Sequence, residues 1–238
     1  MKTLGVIGGL GPMATAYFMQ LVIEMTKAEI DQEHVEMIIY NCPSVPDRTG
    51  YILGQTTENP AKKMIEIGNN LAKDGADLLA IPCVTANYFY EELTANIEVP
   101  IIDIIKETAR HLMENNISTV GLMATDGTIS SRLFQKVLEK ENISVICPDE
   151  EGQKDVMHLI YDNVKANKPI DMLRFQRVSE GLFAQGAQVI VLGCTELSMI
   201  RRDEKIGPGY LDAMQVLAKA SVEACAELKE HYHTLITK

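Results

Sequence analysis

The sequence contains no tryptophan, and aromatic residues make up only 5% of its 238 residues. A hydrophobic core must therefore be built from aliphatic side chains and methionine. Basic residues are too few to balance the acidic ones, and the net charge is −11. A surface of this sign repels phosphate backbones and anionic lipid, so we expect neither nucleic acid nor a membrane as a partner. A small anionic ligand in a cleft lined by basic residues is still compatible with this charge.

Cysteine spacings typical of disulfide frameworks or zinc sites are missing as well. The cysteines form no C-x-x-C pair, are odd in number and are widely separated: Cys42, Cys83, Cys147, Cys194 and Cys225. Free thiols fit a reducing compartment, so we expect a cytoplasmic protein. The pair His231-x-His233 lies at a polar terminus and is interpreted as surface, so we predict no metal site.

One uncharged stretch, residues 3–23, could imitate a signal peptide or a membrane span. Its middle is interrupted by Gly8, Gly9, Gly11 and Pro12, and its second half is polar in places. A strand, a tight turn and a helix fit this pattern better than a span of continuous apolar residues.

Short aliphatic runs alternate with longer helical segments along the chain. Six runs are typical of strands buried on both faces of a parallel sheet: 4–8, 35–40, 78–81, 120–123, 145–146 and 189–192. Seven segments are typical of helices: 13–29, 59–74, 104–115, 130–141, 151–166, 172–185 and 211–231. This alternation predicts an α/β fold with right-handed crossovers.

Two parts of the chain repeat one another. Residues 75–83 and 186–194 share Gly, Ala and Cys in register around an aliphatic strand, and residues 4–9 and 120–125 form a looser pair. We therefore predict two pseudo-symmetric domains, each a mainly parallel sheet flanked by helices, with the active site in the cleft between them. Each half would place one cysteine just past the carboxyl end of a strand, where open α/β sheets bind ligands.

The repeat also predicts where the domains begin and end. The first domain comprises residues 1–116 and the second comprises residues 117–206. The terminal helix within residues 207–238 is expected to pack back on the first domain.

The loop after the first strand matches a dinucleotide-binding pattern, Gly9-x-Gly11-x-x-Ala14. The context that would support this pattern is missing, because the next strand runs into Asn41 and Cys42 rather than into an acidic residue. We interpret the loop as a plain turn or as a carboxylate-binding loop at a helix N-terminus.

The cysteines Cys83 and Cys194 are the strongest candidates for chemistry. Each follows a strand and precedes a helix start, a position that favours a thiolate. A single cysteine of this kind is usually a packing residue, but two at equivalent places in two halves indicate a function. Two thiols on opposite walls of one cleft could invert a carbon acid, with one removing a proton and the other returning one. Their titrations should be coupled.

Five motifs carry a resemblance to a known family. They are GGLGPMAT (8–15), PDRT (46–49), PCVTAN (82–87), GLMATDGT (121–128) and LGCTEL (192–197). In this order and spacing they resemble the aspartate racemase branch of the aspartate/glutamate racemase superfamily, over nearly the whole chain. The resemblance implies a racemase of aspartate or glutamate that uses two cysteine thiols, needs no PLP or other cofactor, and forms a homodimer.

The resemblance also implies roles for individual residues. Cys83 and Cys194 are the expected acid/base pair, and Arg48 and Lys165 are expected to hold the side-chain carboxylate of the substrate. The residues expected around the α-carboxylate and amino group are Gly9, Gly11, Thr85, Thr125 and Thr195. Glu196 stands where this branch has Glu and the glutamate racemases have His, and Asp212 lies near a late acidic position of the family.

The chain departs from the family beside the first cysteine. The family usually has Asn and His where this chain has Val84 and Asn87. Valine cannot replace a hydrogen bond to a polar substrate group, a loss of about 0.5–1.5 kcal/mol. This departure leaves two alternatives open: an isomerase of a related acid that lacks the amino group, and a binding protein that has lost turnover.

Overall fold

Seven short strands form two separate parallel sheets in the computed structural model, which describes residues 2–238. The strands are β1 (Leu4–Gly8), β2 (Met37–Asn41), β3 (Leu78–Ala80), β4 (Thr119–Met123), β5 (Ser144–Ile146), β6 (Val189–Leu192) and β7 (Tyr210–Asp212). The first sheet has the order β2-β1-β3 and the second has the order β5-β4-β6-β7. Each half therefore repeats the same arrangement of three strands, and the predicted α/β fold with two similar parallel sheets is confirmed.

Helices cover both faces of each sheet. They are α1 (Pro12–Met25), α2 (Arg48–Ile52), α3 (Pro60–Lys73), α4 (Tyr90–Asn96), α5 (Ile104–Glu114), α6 (Asp126–Ser130), α7 (Leu133–Leu138), α8 (Glu150–His158), α9 (Met172–Ala184), α10 (Thr195–Asp203) and α11 (Ala213–Cys225). A π-helical segment, Leu159–Lys165, continues α8. None of the helices described between residues 2 and 238 is both long and apolar enough to cross a membrane.

The strands are apolar throughout because both of their faces are buried. In β6, Val189 and Val191 pack into a central core that the two halves share. The alternate residues Ile190 and Leu192 pack into a second core on the far side of the sheet. This alternation follows from the two-residue period of a strand, and it explains why helices on both sides are needed.

The repeated segments have the same local backbone in both halves. After α3 and α9, one capping residue leads to a glycine with positive φ, +103° at Gly75 and +101° at Gly186. Glycine adopts this conformation without the steric cost that other residues incur. The strands β3 and β6 follow, and each leads to a cysteine in extended backbone, Cys83 and Cys194.

Two predicted helices differ from the structure. The segment 130–141 is not one helix, because Arg132 has a φ of +55° and separates α6 from α7. The predicted terminal helix 211–231 begins only at Ala213 and ends at Cys225, since Tyr210–Asp212 pairs with β6 as an edge strand. The short helices α2, α4 and α6 escape sequence prediction because five to seven residues are too few to show a helical period.

The last helix, α11, lies against helices of the first half. It packs on α1 and α5, and its apolar residues join the central core. The domain bounds 1–116 and 117–206 stay a prediction.

Candidate active site

The loops that follow β1, β3, β4 and β6 meet in the cleft between the two halves. They enclose an inner chamber of about 10 Å³, lined by Leu10, Asp47, Arg48, Thr49, Cys83, Val84, Thr85, Thr125, Lys165, Cys194, Thr195 and Glu196. This volume holds about one water molecule. Both candidate cysteines therefore face the same closed space, one from each half of the molecule.

Cys194 lies at the start of α10 beside a carboxylate. It is buried, and its Sγ donates a hydrogen bond to Oε2 of Glu196 at 3.0 Å. Burial and the negative charge of Glu196 raise the pKa of the Cys194 thiol well above its ordinary value, against a smaller opposing effect of Lys165. Cys194 is therefore held in its protonated form, although it occupies a helix N-terminus that by itself favours a thiolate.

Cys83 has a cation as its neighbour instead. The Arg48 side chain is buried, and its Nη1 and Nη2 donate to the carbonyl oxygens of Val45, Pro46 and Leu10. Burial lowers the pKa of Arg48, but the charge of a Cys83 thiolate and a hydrogen bond to it raise that pKa above its ordinary value. The Arg48 Nε has no partner within the protein, so part of its donor capacity is left for the chamber.

Three buried threonine hydroxyls form a triangle, and two of these threonines, Thr85 and Thr125, line the chamber. Thr85 Oγ1 lies 3.0 Å from Thr125 Oγ1 and 3.2 Å from Thr128 Oγ1, and the last two atoms are 3.1 Å apart. Thr125 is also the N-cap of α6 and accepts a bond from the Thr128 backbone N–H. This hydroxyl triangle joins the β3 loop of the first half to the β4 loop of the second. Thr128 belongs to a motif that the sequence indicated, but it was not predicted as a site residue.

The loop after β1 approaches the chamber because glycines allow it. Gly9 has a φ of +92°, and a Cβ at this position would lie 2.4 Å from backbone atoms of Cys42. Any side chain here would be strained and would collide with the neighbouring loop. At Gly11, the N-cap of α1, a Cβ would lie 3.0 Å from Oε1 of Glu196. Glu196 is therefore enclosed between this loop and Cys194.

Lys165 reaches the site from the last residue of the π-helical segment. Its Nζ lies 3.9 Å from the centroid of the Tyr161 ring, a cation–π contact. Burial of the ammonium lowers the pKa of Lys165, but Glu196 and Cys194 raise it above its ordinary value. The ammonium group of Lys165 therefore stays protonated, on the side of the chamber where Cys194 lies. π-Helical turns are often found at functional sites because they displace a side chain from the regular helical position.

A second cavity opens to solvent beside the chamber. This outer pocket has a volume of about 600 Å³. It shares four residues with the inner chamber, Asp47, Arg48, Lys165 and Glu196, which we call the neck. The remaining wall of the outer pocket includes Gly9 and Gly11.

All ten residues predicted for the site line either the inner chamber or the outer pocket, and their individual roles stay predictions. Val84 also lines the chamber, whereas Asn87 donates to Asp103 at the start of α5. Asp212 lies outside both cavities, where it accepts from Ser198 and caps α11. Asp47 was not predicted, and it caps α2 beside Arg48.

The arrangement suits proton transfer at carbon. Two thiols at matched positions in opposite halves face one chamber, one beside a cation and one beside a carboxylate. Hydroxyl groups and buried cations supply partners for the charged ends of a small zwitterion. Within residues 2–238, no group of three or more His, Cys, Asp and Glu side chains could hold a metal ion.

Known proteins resemble the chain over nearly its whole length. It is 29% identical to the broad specificity amino-acid racemase RacX of Bacillus subtilis, over 92% of this chain and 96% of that protein. The aspartate racemase of Picrophilus torridus superposes with a TM-score of 0.83 at 29% identity, covering 99% of both chains. The glutamate racemase of Francisella tularensis, solved with D-glutamate, has a TM-score of 0.62 at 18% identity, covering 94% of this chain and 80% of that one, and it supports the fold alone.

The chain also matches a protein family over most of its length. The Asp/Glu/Hydantoin racemase family matches residues 7–221, a range that includes all ten predicted site residues. The chain therefore belongs to the Asp/Glu/Hydantoin racemase family, and this membership supports amino-acid racemisation, an isomerase activity.

Proposed function

We propose that this protein is a cofactor-independent racemase of an acidic amino acid, aspartate or glutamate, and that Cys83 and Cys194 are its two acid/base groups. The observation that carries the proposal is the inner chamber, where a thiol from each half faces the same small space. Two chemically equivalent groups on opposite faces of a carbon atom are what a reversible inversion needs.

The neighbouring charges suggest which thiol acts first. Cys83 lies beside the Arg48 cation and acts as the base, whereas Cys194 donates a hydrogen bond to Glu196 and acts as the acid. The Cys83 thiolate removes the proton from Cα and becomes a thiol, leaving the electron pair on the carbon. The Cys194 thiol then donates its proton to the opposite face and becomes a thiolate beside Lys165. The other enantiomer is converted by the same steps in reverse.

The remaining polar groups position the substrate. Thr85, Thr125 and Thr195 line the chamber and can bind the ammonium and α-carboxylate groups. Because the chamber holds only about one water molecule, it must widen when an amino acid binds. Arg48 and Lys165 lie at the neck, where the side-chain carboxylate of aspartate or glutamate would end. Val84 adds an apolar contact at a point where its relatives are expected to offer a hydrogen bond.

The test is deuterium exchange at Cα in heavy water, followed by NMR. Each enantiomer of aspartate and glutamate is incubated separately with the wild type, with Cys83→Ala and with Cys194→Ala. We expect exchange and inversion with the wild type and loss of inversion in both variants. Maleate and hydantoin are assayed in parallel. Turnover of either one would identify the alternative activity, an isomerase of acids that lack an amino group. Binding of aspartate without any exchange would instead indicate a protein that has lost turnover.

The assembly and the compartment belong to the same proposal. We expect a homodimer, because α1 exposes Met19 and Ile23 on the face opposite its buried residues. We also expect a cytoplasmic protein, because all five cysteines are free and two of them must stay reduced to act. Sedimentation equilibrium of the wild type and of Met19→Glu tests the first expectation, and cell fractionation tests the second.

A further inference from the structure

The outer pocket is far larger than the chamber it adjoins. Its volume is about 600 Å³, against about 10 Å³ for the inner chamber. Pockets of several hundred Å³ accommodate ligands well above the size of aspartate. The size of the outer pocket is therefore not explained by the short side chain of an acidic substrate.

The wall of the outer pocket beyond the neck is mostly apolar. Met13 and Ala14 come from the start of α1, Val45 from the loop before α2, Val164 from the π-helical segment and Met199 from α10. Met13 is 62% exposed, although methionine is usually buried. Unbranched thioether side chains adapt to flexible apolar ligands, so two methionines make this wall suitable for a long aliphatic group.

The position of the thiols fixes the direction in which a substrate side chain can extend. If Cys83 and Cys194 flank Cα and the threonine hydroxyls hold the zwitterion, the remaining substituent points through the neck. The side chain of aspartate ends among the neck residues. A longer chain passes between Arg48 and Lys165 and lies against the apolar wall.

We propose that the outer pocket is a side-chain subsite that lets the enzyme racemise amino acids with long, unbranched neutral side chains, such as methionine and norleucine. The proposal rests on the two-thiol racemase activity proposed above and names an additional substrate class for the same site. Met13, Val45, Val164 and Met199 are the residues that determine this specificity. Cβ-branched amino acids are poor substrates, because their branch would lie inside the neck beside the buried Arg48 side chain.

The experiment compares Cα deuterium exchange of aspartate, methionine, norleucine and valine by the full-length wild type. We expect exchange of methionine and norleucine and little exchange of valine. Two variants address the subsite: Val164→Phe fills it, and Met13→Asn makes its rim polar. In each variant the ratio of kcat/KM for norleucine to that for aspartate should fall about tenfold, the usual effect of one lost methylene contact in an apolar pocket.

The matched control is Met113→Asn. Met113 is an exposed methionine on α5, at 43%, and it does not line the outer pocket. This variant should leave the ratio unchanged. Exchange of aspartate without methionine or norleucine, or an unchanged ratio in both subsite variants, overturns the subsite but leaves the two-thiol proposal intact.

Isothermal titration calorimetry measures the binding of norleucine and tests the subsite even if the enzyme turns over no amino acid. Norleucine that binds the wild type, and binds at least tenfold more weakly to Val164→Phe, supports the subsite even though the racemase proposal has failed. Absence of norleucine binding to the wild type overturns it. Circular dichroism shows whether each variant is folded.

Discussion

The segments around Cys83 and Cys194, which we call the two cysteine turns, have nearly the same backbone conformation. Their neighbouring charges are of opposite sign. Cys83 and Cys194 both follow a strand in extended conformation, with φ of −158° and −144°. The first continues into a 3₁₀ helix, Val84–Phe89, and the second into the α-helix α10. The charge beside Cys83 is Arg48 from a different element, whereas the charge beside Cys194 is Glu196 from its own helix.

This difference shows what the internal repeat determines and what it leaves free. The repeated strand places a thiol at each wall of the chamber, but it does not fix the protonation state of either. The neighbouring charges come from outside the repeated strand: Arg48 lies on another element, and Glu196 lies on the helix that follows Cys194. A two-base racemase needs this inequality, because one thiol must be ionised while the other holds a proton.

The largest effect is expected from removing either thiol. Cys83→Ser and Cys194→Ser should each lower kcat for racemisation by about a thousandfold, since each face of Cα loses its proton-transfer group. The measurement is polarimetry with both enantiomers. Cys225→Ser is the matched control, because Cys225 is also buried but lies in the central core at the end of α11. A variant at either site that keeps wild-type kcat would end the two-thiol interpretation.

The next effect concerns the charge beside Cys194. Glu196 raises the pKa of the Cys194 thiol, so Glu196→Gln should lower that pKa and let the thiolate form at lower pH. In the direction that needs Cys194 as the acid, kcat should therefore begin to fall at lower pH than in the wild type. At a fixed alkaline pH, kcat in that direction should be lower for Glu196→Gln than for the wild type.

Thiolate absorbance in the ultraviolet measures this titration, and subtracting the curve of a matched Cys194→Ser protein separates Cys194 from the other four cysteines. Glu141→Gln, at an exposed position in the 3₁₀ turn after α7, serves as the control for loss of one negative charge. An unchanged titration of Cys194 in Glu196→Gln would mean that burial alone keeps this thiol protonated. The charge of Glu196 would then not distinguish Cys194 from Cys83.

A third prediction tests whether the same substitution in each half lowers the free energy of unfolding by the same amount, as the similar backbone conformations suggest. Gly75 and Gly186 have nearly equal positive φ, and a Cβ at either position would meet nothing within 4 Å. Alanine at either position should therefore cost about 1–3 kcal/mol of unfolding free energy from backbone strain alone. Urea denaturation should give two equal values. Unequal values would show that the halves differ in stability despite their common geometry.

Much of the fold follows from the sequence because it depends on local patterns. The aliphatic runs predict six strands, and β7 escapes because Tyr210–Asp212 is too short to be recognised without its neighbour β6. The repeat of a glycine, a strand and a cysteine predicts that both thiols lie at strand ends. The closed hydroxyl triangle depends on how the two halves meet, because Thr85 belongs to the first half and Thr125 and Thr128 belong to the second. No local pattern contains that information.

The smallest effect is expected in the loops after the two central strands. The first half has Gly9 after β1, where no side chain fits, and the second half has Thr125 after β4, which caps α6. Thr125→Ala removes the cap and one corner of the hydroxyl triangle, and it should cost about 1 kcal/mol of unfolding free energy.

Two related variants separate the contributions of Thr125. Thr125→Ser keeps the hydroxyl and should retain nearly wild-type stability in urea denaturation. Thr128→Val removes a hydroxyl from the triangle but leaves the Thr125 cap in place. If Thr128→Val raises KM while stability changes little, the triangle acts on the substrate. If Thr128→Val instead lowers stability as much as Thr125→Ala does, the triangle acts mainly as a bond between the halves, because Thr85 is its only corner in the first half.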